Sequence, residues 1–276
     1  MTYWNAILLG LVQGLAEFLP ISSSGHLAVL QNFLAIGDME SHMLFDVLVH
    51  LGTLAAVILA FWKDVREVAV EFARMLHLRK MPRGMKPNRR ERRLISFLIL
   101  ATLPLIPAAL LSGVVEGLYQ NTFFIGFAFI MTGFLLFAAD RMGHGNKDER
   151  SATSADAIVI GLAQAVAVVP GLSRSGTTIS AGMLRGLDRN FAVRFSFLLS
   201  IPAVVGANLL SLVKAIGDGI VWSYVPMYLA GVAAAFVSGY FAIYFLRLIV
   251  QRGKFGGFCY YCWGAGLVTL LLSLIS

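Results

Sequence analysis

Charged residues are scarce in this chain of 276 residues, at 13% against about 25% in an average soluble domain. Cysteine is scarcer still: Cys259 and Cys262 are the only two, which excludes a disulfide-rich secreted scaffold. No second Cys/His pair lies near them to complete a tetrahedral zinc site, so we interpret both as packing residues. The apolar composition also excludes a disordered or collagen-like chain.

Hydrophobic residues are abundant, at 58% of the chain, and the mean hydropathy is +0.78. These values are typical of a helical protein that crosses a membrane several times. The first apolar stretch lacks a basic segment before it and carries Gln13 and Glu17, so we expect it to belong to the mature protein and not to a cleaved signal peptide. Six stretches are each long enough to cross a hydrocarbon core of ~30 Å. They are 44–62, 94–111, 122–139, 194–213, 224–246 and 258–275.

The net charge of +7 arises in one segment, 63–93, which holds 11 Lys or Arg against 4 Asp or Glu. A short basic loop between apolar segments marks the cytoplasmic side of a membrane protein. We prefer this interpretation to a lipid site or a nucleic-acid site, and we expect no nucleic-acid partner. Tracing from that loop puts 1–43, 112–121, 214–223 and the C-terminus outside, and these contain a single basic residue, Lys214.

Two further apolar stretches, 4–36 and 157–182, are interrupted by Pro, Ser and Gly and do not fit as simple crossings. Non-helical backbone at membrane depth is tolerated only where it is buried in protein or lines a wet cavity. We therefore predict that each stretch is a re-entrant helical hairpin, whose tip is a natural place for a functional site.

An internal repeat relates the two hairpins. Residues 6–26 align without a gap with 157–177 and are identical at nine of 21 positions, including a glutamine, two glycines and two serines. The alignment predicts a first repeat over 1–140 and a second over 157–276, joined by a cytoplasmic linker at 141–156. Each repeat has one hairpin and three crossings, so the second repeat is inverted relative to the first. The predicted fold is an all-α polytopic integral membrane protein with an inverted-topology repeat, six transmembrane helices and two re-entrant helical hairpins.

The first hairpin tip, "QGLAEFLPISSSGH", places Gln13 and Glu17 on one helix face, with Ser22, Ser23 and His26 following a proline. An ionisable group inside a membrane segment usually marks a transport pathway or a reaction centre. We therefore predict that Glu17 is functional, with a paired structural glutamate as the alternative. His26 by itself is weaker evidence, because a single buried histidine can simply be a satisfied hydrogen-bond donor.

The second tip, "PGLSRSGTT", surrounds Arg174 with hydroxyl groups, those of Ser173, Ser175, Thr177 and Thr178. A planar guanidinium, the backbone N–H groups of a glycine-containing turn and the start of a following helix all suit a phosphate. The alternative is that Arg174 only closes a salt bridge with Glu17.

An inverted repeat brings the two tips together near the membrane interior, and their combined chemistry indicates phosphoryl transfer on a lipid. Ser23 could attack phosphorus with His26 or Glu17 as general base. Alternatively, Glu17 could hold a divalent cation that polarises the phosphate and positions a water. The sequence does not choose between these mechanisms.

The motifs "EFLPISSSGH" at 17–26 and "PGLSRSGTT" at 170–178 resemble those of the undecaprenyl-diphosphatase, or bacitracin-resistance, family of bacterial inner-membrane proteins. The similarity extends to "HLGT" at 50–53 and "FSFLLSIP" at 195–202. The resemblance implies hydrolysis of undecaprenyl diphosphate to undecaprenyl phosphate and phosphate, which recycles the lipid carrier for peptidoglycan synthesis and confers bacitracin resistance. It also implies a site that is accessible from the periplasm.

The resemblance further implies a divalent metal, Mg²⁺ or Ca²⁺, with Glu17 as a ligand, and it assigns site residues one by one. The family's Glu/Gln-x-x-x-Glu motif falls on Gln13 and Glu17, its serine turn on Ser22 and Ser23, its histidine on His26, and its arginine motif on Ser173, Arg174, Ser175 and Thr178. Gln13 stands where relatives commonly have glutamate, and this removes one anionic metal ligand.

Two other functions share features with this sequence. A flippase for undecaprenyl phosphate, instead of or in addition to the phosphatase, is motivated by the inverted repeat. The membrane phosphatase superfamily with Pro-Ser-Gly-His and Ser-Arg-x5-His motifs is disfavoured, because no proline precedes "SGH" at 24–26 and the histidine required after Arg174 is missing. A homodimer stays open, since the glycines between Gly231 and Gly239 suit packing within one chain as well as between chains.

Overall fold

The computed structural model describes residues 1–34, 43–78, 87–217 and 221–274. Within these ranges the chain is all-helical and contains no β-strand, which confirms the predicted class of polytopic membrane protein. Its α-helices are α1 Tyr3–Phe18, α2 Ser23–Leu34, α3 Met43–Ala60, α4 Trp62–Met75, α5 Arg89–Thr102, α6 Leu105–Ala109, α7 Ser112–Leu118, α8 Thr122–Met142, α9 Ser154–Val166, α10 Arg174–Leu184, α11 Arg189–Gly217, α12 Val225–Gln251 and α13 Phe258–Leu272.

Five stretches of the described chain are long and apolar enough to cross a membrane, and the bent pair α3 and α4 gives a sixth if it is counted as one span. The five are Arg89–Ala109, Thr122–Met142, Arg189–Val213, Trp222–Gln251 and Phe255–Leu272. All six predicted spans thus overlap helices, although their ends differ by several residues. The predicted end at residue 275 lies outside the described residues.

The predicted basic loop at 63–93 is wrong as a description of the backbone. Helix α4 occupies Trp62–Met75 and bends by 90° from α3, while α5 already begins at Arg89. Charge density suggested a loop, but α4 is amphipathic: Val65 and Val68 pack against the core while charged side chains line its other faces. Residues 79–86 of this segment lie outside the described chain.

The predicted span at 94–111 is also corrected. The helix begins five residues earlier, where the Asn88 side chain accepts hydrogen bonds from the backbone of Arg90 and Glu91, and it breaks before Pro104. A residue that precedes proline is disfavoured in a helix, and proline lacks the N–H that would continue it. Helix α7 then occupies part of the segment 112–121, which had been predicted as an outside loop.

Both predicted hairpins are helix–break–helix units in the structure. Helices α1 and α2 pack against each other around a break at 19–22, and α9 and α10 do so around a break at 167–173. The second hairpin starts at Ser154 and not at 157, because Thr153 and Asp156 form a reciprocal capping box that begins α9. Residues 35 and 36 of the first hairpin lie outside the described chain.

Ion pairs connect the predicted linker 141–156 to the helices around it. Asp156 pairs with Lys147 at 3.1 Å and with Arg185 at 2.8 Å, and Arg194 joins Asp64 and Glu149, each at 2.6 Å. The linker therefore binds α4, α9, α10 and α11 together at the end of the molecule where the basic residues gather.

Helices α1 and α12 pack closely against each other, and glycines make this approach possible. A Cβ on Gly10 would lie 2.2 Å from the carbonyl oxygen of Gly231, and a Cβ on Gly14 would lie 2.4 Å from that of Ala235. The glycines of α12 are thus used for packing inside the chain, where small residues let two helix backbones approach. This packing holds α1, which carries Glu17, against the body of the molecule.

Candidate active site

The first hairpin tip is shaped by Pro20 and Ser22. Helix α1 ends at Phe18, and Leu19 adopts an extended conformation, as expected before a proline. Ser22 has φ = 71°, in the left-handed region that residues other than glycine rarely adopt. Its hydroxyl accepts a hydrogen bond from Gly25 N at 3.3 Å, so Ser22 caps the start of α2. The strained turn thus aims the N-terminus of α2 back toward the end of α1.

The second tip has a similar construction. Gly171 has φ = 91°, and Ser173 caps α10 by accepting from Gly176 N at 3.0 Å. Thr132 on α8 supports this turn, because its hydroxyl donates to Gly171 O at 3.2 Å and accepts from Ser173 N at 3.2 Å. The start of α10 is thereby held in a defined direction.

The two tips contact each other in a reciprocal way, because a serine hydroxyl of each turn donates to a backbone carbonyl of the other. Ser22 Oγ donates to Leu172 O at 3.3 Å, and Ser175 Oγ donates to Leu19 O at 3.2 Å. A Cβ on Gly25 would lie 2.9 Å from Gly171 Cα, so the backbones approach where a larger residue would not fit. The N-termini of α2 and α10, which belong to different halves of the chain, therefore lie next to each other.

The Glu17 carboxylate lies at this meeting point, with an exposed side-chain fraction of 8%. Its Oε1 pairs with the Arg174 guanidinium at 2.6 Å. Its Oε2 accepts from Ser23 Oγ at 2.6 Å and from Gln13 Nε2 at 3.1 Å. Each partner donates a hydrogen bond to the carboxylate, in a site that water barely reaches.

Gln13 has a second feature that bears on ligand binding. A carboxylate only accepts hydrogen bonds, so the amide nitrogen of Gln13 must face Glu17 and its Oε1 faces the other way. That oxygen is buried and finds no hydrogen-bond partner among the described residues. Since buried polar atoms are normally paired, the orphaned oxygen marks a position for a ligand that the protein itself does not supply.

The structure brings together most of the predicted site residues. Gln13, Glu17, Ser23 and Arg174 are directly hydrogen-bonded. Ser22, Ser173 and Ser175 form the turns around them. Thr178 lies one turn further into α10, where its hydroxyl donates to Arg174 O at 2.9 Å and contacts Ser196 Oγ at 2.6 Å. It stabilises the start of the helix that carries Arg174.

His26 lies apart from this group. Its Nδ1 bonds to the backbone oxygen of Ser22 at 2.7 Å, and its Nε2 bonds to the Tyr261 hydroxyl at 2.7 Å. The imidazole therefore contacts the turn and α13, and Ser23 bonds to Glu17 instead. Of the two general bases that the sequence left open, Glu17 is the one in contact with Ser23.

His50 is a site residue that the sequence analysis missed. It lies on α3, with Nε2 at 4.0 Å from Glu17 Oε2 and Nδ1 bonded to Asp46 O at 2.7 Å. The motif "HLGT" indicates a family resemblance, but its spacing does not predict that α3 lies beside the hairpin tips. The available signal was a histidine in the predicted span 44–62, whose only charged residue is Asp46.

The fold and the site together define a class: a multi-pass helical membrane protein with a buried carboxylate–guanidinium pair where two broken hairpins meet. The family model described as bacitracin resistance protein BacA matches residues 6–268. The chain therefore belongs to the BacA family of bacitracin resistance proteins.

Similar proteins from several organisms are named undecaprenyl-diphosphatase. The chain is 39% identical to an undecaprenyl-diphosphatase of Alkaliphilus metalliredigens, over 100% of both chains. It is 41% identical to one of Syntrophotalea carbinolica, over 99% of this chain and 100% of the relative. A third, from Methanobrevibacter smithii, is 40% identical over 98% of this chain and 97% of the relative.

Proposed function

We propose that this protein hydrolyses undecaprenyl diphosphate to undecaprenyl phosphate and inorganic phosphate. Membership of the BacA family and full-length similarity to undecaprenyl-diphosphatases support this function. The single observation that carries it in the structure is the contact of Glu17 with Arg174, because it joins an anion-binding group and a proton acceptor in one buried site. The product returns to the pool of lipid carrier, and the activity accounts for the family's association with bacitracin resistance.

Arg174 and the N-termini of α2 and α10 bind the diphosphate in this proposal. A guanidinium matches two phosphate oxygens at once, and a helix N-terminus offers free N–H groups and a positive dipole end to an anion. When substrate enters, its phosphate oxygens take the place of Glu17 Oε1 on the guanidinium. Glu17 is thereby freed to act as a base beside the bound phosphate.

Glu17 takes the proton of the nucleophile. Ser23 already donates to it at 2.6 Å, so one route has Ser23 Oγ attack the terminal phosphorus while Glu17 accepts its proton. The bond from that phosphorus to the bridging oxygen breaks, undecaprenyl phosphate leaves, and water then releases the phosphate from Ser23. In the other route, Ser23 positions Glu17 and a water attacks phosphorus directly. Substitution of Ser23 separates the two routes.

A divalent cation, Mg²⁺ or Ca²⁺, is part of the proposal, with Glu17 as its anionic ligand. The described residues contain no cluster of three or more His, Cys, Asp or Glu side chains that could hold a metal by themselves. The Gln13 amide next to Glu17 nevertheless offers a second oxygen ligand, if it turns its Oε1, which has no partner among the described residues, toward the carboxylate. Mg²⁺ commonly uses one or two carboxylates and completes its shell with substrate phosphate and water, so these residues fit it. When bound, the cation supplies Lewis-acid polarisation of the phosphate.

We further propose the inner membrane as the location, with the two repeats inverted and the site reached from the periplasm. The basic residues gather at the α4 and linker end, which the positive-inside rule assigns to the cytoplasm. The repeat is supported by matching turns: Ser22 and Ser173 cap the second helix of each hairpin, and Gly25 and Gly171 approach each other as Pro20 and Gly176 do.

A lipid-phosphate flippase is the second candidate. Its support is the meeting of two broken hairpins from opposite halves of the chain, an arrangement that transporters with inverted repeats share. The protein in liposomes would then move undecaprenyl phosphate between leaflets. If no movement occurs in vesicles that hydrolyse the diphosphate normally, the flippase function is excluded.

The proposed function is tested by phosphate release from undecaprenyl diphosphate with purified protein in detergent, after EDTA and again after Mg²⁺ or Ca²⁺ is added. We expect metal-dependent release that is lost in Glu17→Gln and Arg174→Ala. Arg185→Ala is the matched control, because Arg185 follows α10 and pairs with Asp156 away from the site. In this variant Asp156 keeps its ion pair with Lys147. Wild-type rates in both site variants, or no release by the native protein under any of these conditions, would reject the proposal.

A further inference from the structure

The hydrogen bonds of His26 determine where its ring protons lie. Ser22 O is a carbonyl oxygen and can only accept, so Nδ1 carries the hydrogen that makes the 2.7 Å bond. In the neutral ring Nε2 is then an acceptor, and the Tyr261 hydroxyl donates to it at 2.7 Å. The imidazole also stacks on the Tyr261 ring and meets the edge of Phe129. Both ring nitrogens are therefore engaged with groups other than the Ser23 hydroxyl.

The second hairpin tip provides an internal comparison. Ser173, the capping residue equivalent to Ser22, has an ordinary φ of −74°, and its carbonyl accepts from Thr177 N at 2.8 Å. At the first tip Ser22 has φ = 71°, and the equivalent bond from His26 N lengthens to 3.3 Å. Thr177 stands where His26 would be, and its hydroxyl is buried with no hydrogen-bond partner among the described residues. Within the part of the chain that the structure describes, only the tip with the strained turn has a side chain bonded to the carbonyl of its capping serine.

From this comparison we infer that His26 is a positioning residue: its Nδ1–H holds the Ser22 carbonyl in the left-handed turn that aims Ser23 at Glu17. The inference rests on the proposed phosphatase function and names the role of one residue within it. His26 neither takes nor gives the reacting proton.

The effect on turnover follows from the geometry. Without the Nδ1 bond, Ser22 can relax toward an ordinary φ, and Ser23, the next residue, moves away from the carboxylate oxygen that it reaches at 2.6 Å. A misplacement of about 1 Å can reduce catalysis by about 10²-fold. Arg174 and the N-terminus of α10 belong to the other tip and keep their share of substrate binding. KM is therefore expected to change much less than kcat.

Two amide variants distinguish positioning from base catalysis. The side-chain nitrogen of asparagine lies as far from Cα as Nδ1, whereas that of glutamine reaches as far as Nε2. We expect His26→Asn to keep kcat within about 10-fold of the native protein, and His26→Gln and His26→Ala to lower it by about 10²-fold with KM changed by less than about 3-fold. His144→Ala removes an exposed imidazole outside both hairpin tips; it is the control and is expected to leave kcat unchanged.

The pH profile of kcat/KM gives the second readout. An amide cannot act as a base in this range, so an active His26→Asn protein with the native profile supports positioning. The inference is overturned if His26→Asn falls to the level of His26→Ala, or if it loses an acidic limb that the native protein shows. Native protein that releases no phosphate at all would instead reject the proposed function, so the two failures are distinguishable. Thermal unfolding of each variant in detergent identifies any that fail to fold. His26→Ala is also combined with Ser22→Gly, which adopts the left-handed turn without strain, and the double variant is expected to have a kcat at least 5-fold above that of His26→Ala.

Discussion

Ser23 and Arg174 bond to different oxygens of the same carboxylate, that of Glu17, each at 2.6 Å. Each is the first residue of the second helix in its hairpin, so the two occupy equivalent positions in the aligned repeats. One tip thus supplies a neutral hydroxyl and the other a permanent cation at matching places. The difference between serine and arginine at this aligned position gives the site a nucleophile candidate on one tip and an anion-binding group on the other.

Arg174→Ala is expected to lower kcat/KM for undecaprenyl diphosphate by about 10³-fold, because the charge of the diphosphate loses its fixed partner in a site of low dielectric constant. Arg174→Lys is expected to recover only part of the loss, since an ammonium group cannot bind two oxygens in a fixed plane. Steady-state phosphate release measures both variants. An alanine variant that keeps more than a tenth of the native kcat/KM would contradict the role given to Arg174.

Glu17→Gln is expected to abolish turnover and to destabilise the protein. It leaves the Arg174 guanidinium, whose side chain is 18% exposed, without a counter-charge, and breaking such a pair costs about 3 kcal/mol. The double variant Glu17→Gln/Arg174→Gln removes both charges and is expected to recover most of the stability and none of the activity. Thermal unfolding in detergent compares the three proteins. If the double variant is no more stable than Glu17→Gln, the two charges are not coupled.

Ser23→Ala decides between the two routes of attack. If Ser23 is the nucleophile, kcat is expected to fall by about 10⁴-fold or more, because no other group forms the bond to phosphorus. If water is the nucleophile, Ser23 only orients Glu17 and kcat is expected to fall by about 10- to 100-fold. Trapping a radiolabelled phosphoryl group on the native protein, and not on Ser23→Ala, checks the first outcome independently.

Gly25→Ala is expected to disrupt the contact between the tips. The added Cβ would lie 2.7 Å from a ring carbon of Phe129 and 2.9 Å from Gly171 Cα, which is backbone and cannot move aside alone. We expect a lower unfolding temperature and a fall in activity of at least 10-fold. Gly113→Ala is the control, because a Cβ on this helical glycine meets nothing within 4 Å and alanine favours a helix. Equal behaviour of the two variants would show that the tips do not need this close approach.

Gln13→Glu is expected to strengthen metal binding. It converts the amide with the orphaned oxygen into a second carboxylate beside Glu17, and affinity for Mg²⁺ or Ca²⁺ rises with the charge of the ligands. The metal concentration for half-maximal activity is expected to fall by roughly 10-fold. Without metal, repulsion between the two carboxylates is expected to lower the unfolding temperature, and added metal is expected to restore it. An unchanged metal requirement would place the cation elsewhere.

Much of this protein could be predicted from local sequence. The breaks at Pro20 and Gly171 were visible because proline and glycine interrupt helices wherever they occur. Glu17 and Arg174 were recognisable as site residues because charged groups are rare inside apolar stretches. The dense run of charges does not by itself distinguish the amphipathic helix α4 from a loop, because only a narrow apolar face, which includes Val65 and Val68, packs against the core.

The contacts of single side chains were beyond such reasoning. His26 and His50 illustrate the limit: the histidine next to the serine turn bonds to the backbone and Tyr261, whereas the one on α3 lies beside Glu17. In the sequence His26 is the nearer of the two to Glu17, so sequence distance alone would assign the site to His26 and not to His50.

The sequence by itself determined the solvent and the class of this protein, because 58% hydrophobic residues and interrupted apolar runs suit a bilayer and little else. It also determined which residue types stand at the two hairpin tips. Only the tertiary structure decided which donor reaches which oxygen of Glu17. That choice depends on how α1, α3, α8 and α10 pack, and packing directions are set by contacts between residues far apart in the chain, which no local pattern encodes.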